Sequence, residues 1–425
     1  MPGAESWPDF RGPRGDGHVP SRDGKPLGLP LHWSEAKIIK WKTELPLLGL
    51  SSPVVLDGKV WLTTATEDGR EYYVLSVDAA TGKVLTNEKL FQKVDPEPLG
   101  NGSKDNSYAT PSCAVEPGRV YVHYGSPGTA CLDAATGKVL WKRDDLKCRH
   151  YRGASSSPVL FGDLLILTFD GADLQYHAAL DKRTGKTVWL TNRSVKWNDE
   201  NVEKQMVKDG DWRKAHSTPL IVDWQGQPLM FSAGAKAAYG YDPRTGAELW
   251  RVEHVGYSAA PRPVFRNGHF IFVTGFSAGA QMWSAKAGGK GVVTDTHVDW
   301  KIETPIPKYS SPILVDDLLY LSMDDAFLAC VEVDTGKTVW KERVGGRFRA
   351  CPIYADGRLY FFSVEGVTTV IKPGRTFEVL ATNALATDAP NNDPRRGPGF
   401  MASPAVVGKS LIVRTRHHLY RIEND

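Results

Sequence analysis

Short apolar runs alternate with polar turns along almost the whole chain. A proline often opens an apolar run, a polar turn follows it, and a second apolar run comes next, as in residues 53–65 and 312–322. Runs of this length, bounded by turn residues, predict short antiparallel strands. Because the unit recurs at intervals of roughly 40 to 60 residues, the pattern predicts one supersecondary unit built many times over.

A second signal in each unit is a turn phrase that contains an acidic residue, threonine and glycine. It occurs at residues 78–83, 133–138, 181–186, 242–246 and 332–337. Asp and Thr side chains accept hydrogen bonds from nearby backbone N–H groups, and glycine supplies a positive φ, so the phrase predicts a strand-turn-strand unit. A tryptophan follows the glycine by four residues in four of the five copies, at Trp141, Trp189, Trp250 and Trp340. We interpret this ring as a docking piece buried between neighbouring repeats.

The strand-opening prolines give the number of repeats. They are Pro53, Pro111, Pro158, Pro219, either Pro261 or Pro263, Pro312, Pro352 and Pro404. Each unit has room for four strands, which predicts an all-β fold, an eight-bladed β-propeller with four antiparallel strands per blade. The last copy is too short for a fourth strand, so we expect the segment around Trp41 to pair with it and close the ring. Blade five lacks the turn phrase but keeps Trp300, and in blade seven Lys372–Gly374 replaces the turn.

With its turn phrases and spaced tryptophans, the chain resembles the PQQ-like (quinoprotein-type) eight-bladed propellers from about Trp33 to Ile422. Residues 7–17 are also similar to the segment that opens exported PQQ-like repeat proteins of planctomycetes. The family includes quinoprotein dehydrogenases and the propeller lipoprotein of the outer-membrane protein assembly machine, so the resemblance implies a fold and no single reaction. We expect residues 1–32 to be an extension packed on the propeller and residues 33–425 to be one propeller domain.

The composition limits the possible binding partners and the cellular location of the protein. The net charge is +3 and Lys and Arg form no cluster, which argues against nucleic acid. No apolar run approaches the roughly 20 residues of a membrane-spanning helix. The resemblance implies a periplasmic or secreted protein, although the first five residues have neither the basic start nor the apolar core of a leader peptide.

The cysteines give no support for a metal or a quinone. Five are present, with no CxxC, haem or zinc spacing among them, and most fall in predicted strands as free thiols. The alcohol-dehydrogenase branch of the resembled family carries two adjacent cysteines against the quinone and acidic and Asn ligands for calcium. This chain has no Cys-Cys pair. We therefore expect no cofactor, and binding of PQQ with calcium is kept as an alternative.

Candidate chemistry lies in the residues before the strand-opening prolines, because propeller ligands bind at the mouth of the central channel. Candidate proton-transfer groups are His150, His216, Tyr108, Tyr257 and Tyr309, and candidate ligand-binding groups are Asn106, Arg152, Arg213, Arg262, Lys308, Arg347 and Arg349. These residues predict a cationic, aromatic mouth suited to an anionic or sugar-like ligand. The alternative is that the aromatic rings only cap the inner strands and the arginines fill a solvated channel.

Three functions follow from these patterns. The first is an exported binding or scaffold protein that takes a small-molecule or glycan ligand at the channel mouth, or a protein partner. The second is a cofactor-free enzyme on sugars or uronates, in which a histidine accepts the proton α to a carboxylate and a tyrosine protonates the leaving group. The third is a quinoprotein dehydrogenase that uses PQQ and calcium.

Two long polar segments are further candidates. Residues 194–214 form a charged insertion that could be a lid over the channel, or a solvated loop. Residues 383–399 contain several oxygen-bearing side chains but lack the spacing of a calcium loop.

Overall fold

The computed structural model describes residues 6–20, 24–100, 105–200, 210–276, 279–385 and 400–424. Its strands form eight sheets arranged as the blades of a propeller, with almost no helix among the described residues. The predicted all-β, eight-bladed fold is therefore confirmed.

The chain enters through β1 (Ile39–Glu44) and then builds the blades in order. Blades one to three contain β2 (Val54–Leu56), β3 (Lys59–Ala65), β4 (Glu71–Asp78), β5 (Val84–Gln92), β6 (Ala114–Glu116), β7 (Arg119–His123), β8 (Thr129–Asp133), β9 (Val139–Arg143), β10 (Val159–Phe161), β11 (Leu164–Asp170), β12 (Gln175–Asp181) and β13 (Thr187–Asn192). Blades four and five contain β14 (Leu220–Trp224), β15 (Gln227–Ala233), β16 (Ala237–Tyr241), β17 (Glu248–Glu253), β18 (Val264–Arg266), β19 (His269–Val273), β20 (Met282–Lys286), β21 (Gly291–Val292) and β22 (Val298–Ile302). Blades six to eight contain β23 (Ile313–Val315), β24 (Leu318–Ser322), β25 (Phe327–Glu332), β26 (Thr338–Arg343), β27 (Ile353–Ala355), β28 (Arg358–Phe362), β29 (Val367–Ile371), β30 (Val379–Ala384), β31 (Ala405–Val407), β32 (Ser410–Arg414) and β33 (His418–Glu423). A 3-10 turn covers Asp211–Arg213, and the short helix α1 covers Thr294–His297.

The strand that opens each blade is the innermost, and three further strands pair antiparallel outward from it. Blade eight is closed from both ends of the chain, in the order β1-β33-β32-β31, with Trp41 opposite Arg421. The predicted closure by the segment around Trp41 is thus confirmed. It gives the C-terminal strands the partner that an open edge would lack.

The turns between the third and fourth strands form one end of the propeller, which we call the turn face. In the first copy the Asp78 carboxylate accepts hydrogen bonds from the Ala80 and Thr81 N–H groups and from the Thr81 hydroxyl, and Gly82 has a φ of +75°. Five indole N–H groups reach backbone carbonyls of the following blade. The pairs are Trp41 to Ala79 at 3.1 Å, Trp141 to Lys182 at 3.0 Å, Trp189 to Pro243 at 3.2 Å, Trp300 to Val333 at 3.1 Å and Trp340 to Gly374 at 3.1 Å. Adjacent blades are therefore tied at equivalent points.

Trp250 in blade four departs from this arrangement, because the next blade has no Thr-Gly turn to receive it. Its ring is 1% exposed and packs against Gly240, Phe231 and Phe270. The residues that replace the turn in blade five run back along blade four, where β21 adds a parallel fifth strand beside β17.

The N-terminal segment of residues 6–20 crosses the inner strands. The backbone of Trp7 pairs with Val55 in blade one, and the Val115 N–H of blade two donates to the Pro8 carbonyl. In blades six and seven the Arg11 guanidinium donates to the Pro312 carbonyl at 2.7 Å, and the Tyr354 N–H donates to Gly17. Trp7 and Arg11 are both almost fully buried, so the segment is packed into the propeller from this side.

Candidate functional site

A ring of hydrogen bonds lines the channel at the position two residues before each inner strand. The backbone N–H of this residue donates to the side chain of its counterpart in the next blade, at 2.8–3.3 Å. We call these eight residues the belt: Ser52, Ser112, Ser157, Thr218, Arg262, Ser311, Cys351 and Ser403. Seven of the eight links are present, and the missing one would run from Thr218 to Arg262. The belt joins the blades around the channel.

The belt corrects the assignment of the strand-opening prolines. Seven inner strands do follow a proline directly, and in blade five that residue is Pro263 rather than Pro261. In blade two, however, β6 begins at Ala114 and Cys113 occupies the place of the proline. Pro111 lies two residues too early, so it does not open a strand as predicted.

A cavity of about 480 Å³ occupies the channel beside the belt. Phe10 of the N-terminal segment lines it, and so do most of the belt side chains. The residues two positions before the belt all line the cavity as well, one from each blade: Leu50, Thr110, Ser155, His216, Ala260, Tyr309, Arg349 and Met401. A further cavity of about 240 Å³ shares Leu50, Asp105, Asn106, Arg349 and Met401 with it.

The central cavity brings together seven of the twelve candidate residues. These are Asn106, Arg152, His216, Tyr257, Lys308, Tyr309 and Arg349. Tyr108, His150, Arg213, Arg262 and Arg347 do not line it. The candidates separate in this way because the loops before the inner strands differ in length. A residue at a given distance before a proline therefore does not face the channel in every blade.

His150 and Tyr108 lie between blades. The His150 ring is 8% exposed, with Nε2 3.2 Å from the Cys148 thiol and its ring beside Phe169, and burial holds its pKa well below the usual range. The Tyr108 ring packs over Gly69 and edge-on to Tyr72, and burial raises its pKa. Neither ring lines the central cavity, and Tyr108 lines the adjoining cavity of about 240 Å³.

Three of the five candidate arginines do not line the central cavity, although Arg347 lines the adjoining one. Arg213 pairs with Asp199 at 2.6 Å, and Arg347 pairs with Glu365 at 2.9 Å. Arg262 is 3% exposed and donates to the Phe10 carbonyl at 2.8 Å, so its guanidinium holds the N-terminal segment. The other two, Arg152 and Arg349, do reach the cavity.

Carboxylates neutralise the two arginines of the cavity. Arg152 pairs with Asp211 at 2.7 Å. Arg349 pairs with Asp105 and, at 3.2 Å, with Asp324. These residues thus form a mixed ring of paired charges, which partly balances the cationic mouth that the sequence predicts. Asp105 and Asp211 line the cavity but were not among the candidates. Their signal in the sequence is that an arginine-rich mouth in a nearly neutral chain needs acidic partners nearby.

His216 is the end of a polar chain. Its Nδ1 lies 3.0 Å from the Ser155 hydroxyl, which accepts a hydrogen bond from the Asn106 amide at 2.9 Å. The same amide donates to the Arg152 carbonyl, and the Asn106 carbonyl oxygen accepts from the Ser107 N–H and the Thr110 hydroxyl. Both ends of Asn106 are thus used within the protein, which makes it a positioning residue. Burial, with the Lys214 and Arg152 charges nearby, holds the pKa of His216 well below its usual range, so the imidazole is neutral at pH 7.

One wall of the cavity is aromatic. The Tyr309 ring lies beside Phe276, with a centroid separation of 5.4 Å, and the Arg349 guanidinium stands 4.5 Å above the Tyr309 ring. Burial raises the pKa of Tyr309 to about 12, and burial with the Asp211 charge raises that of Tyr257, so both hydroxyls stay protonated. The Lys308 ammonium lies 5.0 Å from the Phe276 ring and forms no ion pair with the residues that the structure describes.

A family model described as the outer membrane protein assembly factor BamB matches residues 32–223 and 234–373. The chain belongs to the BamB family. No curated protein matches it.

Three solved structures are similar to this BamB-family chain. BamB from Moraxella catarrhalis is 17% identical, with a TM-score of 0.52, over 76% of this chain and 83% of that one. The computationally designed Ika8 protein is 9% identical, with a TM-score of 0.58, over 89% of this chain and 98% of that one. The quinohemoprotein alcohol dehydrogenase from Comamonas testosteroni is 12% identical, with a TM-score of 0.48, over 99% and 81%. The first two likenesses show the propeller fold, and they carry no reaction or ligand.

The donor set of this BamB-family cavity does not fit a calcium-bound quinone. Calcium takes six to eight oxygen ligands, usually with several carboxylates. Asp105 and Asp211 are engaged by Arg349 and Arg152. Within the described ranges no three His, Cys, Asp or Glu side chains gather as a metal site, and all five cysteines are buried free thiols.

The two long polar segments are described only in part. Residues 201–209 of the predicted lid and 386–399 of the oxygen-rich loop lie outside the described residues. Among the helices that are described, none has the length and apolar character to span a membrane.

Proposed function

We propose that this chain is an exported binding propeller whose central cavity takes a small, polar, acidic ligand of the uronic-acid type. The observation that carries the proposal is one cavity with an aromatic wall, belt hydroxyls and Lys308, which forms no ion pair among the described residues. Its volume of about 480 Å³ falls within the range of about 300–1,000 Å³ that small-molecule sites occupy.

Each part of the wall suits a part of such a ligand. Tyr309 and Phe276 offer flat apolar faces for a sugar ring, and Tyr257 adds a hydroxyl that can donate a hydrogen bond. No described carboxylate pairs with the Lys308 ammonium, so it can bind a ligand carboxylate, whereas Arg152 and Arg349 are already paired. The paired arginines keep their positions and can still donate through their remaining N–H groups.

The test compares acidic and neutral sugars of the same ring geometry. Digalacturonate should raise the melting temperature and bind by calorimetry, and the neutral disaccharide galactobiose should bind at least tenfold more weakly, because it lacks the carboxylates that Lys308 meets. Lys308→Ala should reduce digalacturonate affinity about tenfold. Lys290→Ala is the matched control, because Lys290 is exposed and does not line the cavity. Equal affinity of Lys308→Ala and the wild type, or no binding of either sugar, would contradict the proposal.

A second candidate is a cofactor-free lyase on uronates, and the state of His216 favours it. A neutral imidazole can accept the proton α to the carboxylate, and a protonated Tyr257 or Tyr309 can donate to the leaving oxygen as the C–O bond breaks. Polygalacturonate incubated with the protein should then develop the ultraviolet absorbance of an unsaturated product. His216→Ala should abolish that signal while digalacturonate still binds. Binding without any product would support the binding function and reject the lyase.

The quinoprotein alternative has a direct test as well. Because the cavity carboxylates are occupied by arginines, we expect no dye reduction with alcohols or aldose sugars after the protein is incubated with PQQ and calcium. Dye reduction that depends on both additions would overturn this expectation.

The family description also favours a protein partner outside the cytoplasm. Outer strands β9 and β13 expose aliphatic side chains, with Leu140 49%, Val188 53% and Leu190 47% exposed. An exposed aliphatic surface of this kind is a feature of protein-binding sites. Fractionation of the native host should find the protein in the periplasm or outside the cell, and its recovery from the cytoplasm would contradict the location.

A further inference from the structure

The belt is broken at one place, between blades four and five. Elsewhere the belt N–H donates to a serine or threonine hydroxyl or, in one case, to the Cys351 thiol. Blade five contributes Arg262, whose side chain carries only donors, so it cannot accept the hydrogen bond from the Thr218 N–H. The break follows from the sequence Pro261–Pro263, in which arginine stands where the other blades have a small polar residue.

The Thr218 N–H has no acceptor within the part of the chain that the structure describes. Thr218 is 3% exposed and lines the central cavity, and its hydroxyl accepts from the Ser157 N–H at 3.0 Å without donating to any described group. A buried N–H without a partner costs free energy, and more than nine in ten such groups in native proteins are paired with protein, water or ligand. Both hydrogens of Thr218 are therefore available to an oxygen in the cavity.

The surroundings of the break favour an oxygen with negative charge. The Arg262 guanidinium donates to the Pro219 and Phe10 carbonyls. The Asp9 and Asp16 charges act on it, but neither carboxylate forms an ion pair with it among the described residues. His216 lies two residues before Thr218 in blade four, and Tyr257 lies in the loop before blade five; both line the same cavity as Thr218. Ser258, the neighbour of Tyr257, lines the cavity with a φ of +59°, a strained conformation that is common at functional sites.

We propose that the break in the belt is an acceptor-oxygen subsite, where the Thr218 N–H and hydroxyl bind a carboxylate oxygen of the ligand. This rests on the proposed function for the identity of the ligand, and on the belt alone for the position of the subsite. An anionic acceptor at this point replaces the bond that the other blades make internally.

Crystals soaked in sodium bromide test the position without any sugar, because bromide accepts hydrogen bonds and is located by its anomalous scattering. Wild-type crystals should show bromide at hydrogen-bond distance from the Thr218 nitrogen. Arg262→Ala keeps the open N–H and should retain the bromide, at lower occupancy than the wild type because the Arg262 charge is removed. Arg262→Ser supplies an acceptor that closes the belt and should lose it. Both variants remove the same contacts with the N-terminal segment, so a difference in bromide binding between them comes from the belt hydrogen bond.

Binding by the same pair tests the ligand. Arg262→Ser should bind digalacturonate about tenfold more weakly than Arg262→Ala, and it should melt at a higher temperature because the belt gains a hydrogen bond. Equal bromide density in the two variants, or none at Thr218 in the wild type, would overturn the subsite even if the sugar binds. Bromide at Thr218 with no sugar binding would support the subsite and reject the proposed ligand.

Discussion

At the turn face, five indole N–H groups reach a backbone carbonyl of the next blade, and in four of them that carbonyl belongs to the residue after the acid of the turn phrase. At the cavity end, the loops outside the belt carry different side chains, and Arg152 and Arg349 are held by individual partners such as Asp211 for Arg152. The repeated contacts at the turn face join the blades at several equivalent points, whereas each unique contact at the cavity end positions a single side chain. The two ends should therefore respond differently to single substitutions.

The largest effect should come from a unique buried pair between blades three and four. The Arg193 guanidinium donates to both Asp170 oxygens, at 2.7 and 2.6 Å, and the two side chains are 1% and 2% exposed. Asp170→Ala leaves a buried arginine without its counter-ion and should destabilise the protein by about 4 kcal/mol, measured by urea unfolding. Asp163→Ala is the control, because its pair with Arg183 is exposed and should contribute less than about 1 kcal/mol. Equal losses would contradict the distinction.

On the turn face, Trp141→Ala should cost less, about 3 kcal/mol. The substitution removes the hydrogen bond to the Lys182 carbonyl and uncovers Gly185 of the next turn, but the indole is only partly buried. Trp141→Phe keeps the ring and loses the hydrogen bond, so it should recover most of the loss. If Trp141→Phe is as unstable as Trp141→Ala, the hydrogen bond rather than the ring holds the blades.

The same contrast explains how far the sequence could predict the structure. The turn face repeats, so spacing alone located the turns, the tryptophans and the closure by Trp41. Apart from the belt, the loops at the cavity end do not repeat, and counting back from a proline failed where Cys113 replaces it or where the loop is longer, as in the loop that holds His150. The contact between Asp324 and Arg349 could not be predicted for another reason. It comes from the loop between β24 and β25, and nothing in its local sequence indicates that it meets Arg349.

A smaller effect should separate the backbone strain of the turn at Gly185 from the contact of that turn with the Trp141 ring. Gly185 has a φ of +73°, and a Cβ there would lie 2.7 Å from the Trp141 ring. Gly185→Ala should cost about 2 kcal/mol, because it adds this overlap to the strain of a left-handed alanine. Gly162→Ala meets the same strain at a φ of +56° with open space around it, and should cost about 1 kcal/mol. In a Trp141→Ala background the two glycine substitutions should become equal, and a persisting difference would mean that the ring is not the cause.

The smallest expected effect concerns Asp9, in the N-terminal segment whose Phe10 lines the cavity. Burial raises the pKa of Asp9 from 3.8 to about 6, against the opposing pull of the Arg262 charge. The folded state therefore holds a proton that the unfolded chain releases between pH 4 and 6, so stability is full below pH 4 and falls as the pH rises through 6. The loss should be about 1 kcal/mol, because the side chain is only partly buried and solvent screens it. Asp9→Asn should remove this slope from melting curves recorded between pH 4 and 7. A slope that survives in Asp9→Asn would have to come from another carboxyl group, and the N-terminal segment would then be fixed to the belt through Arg262 independently of pH.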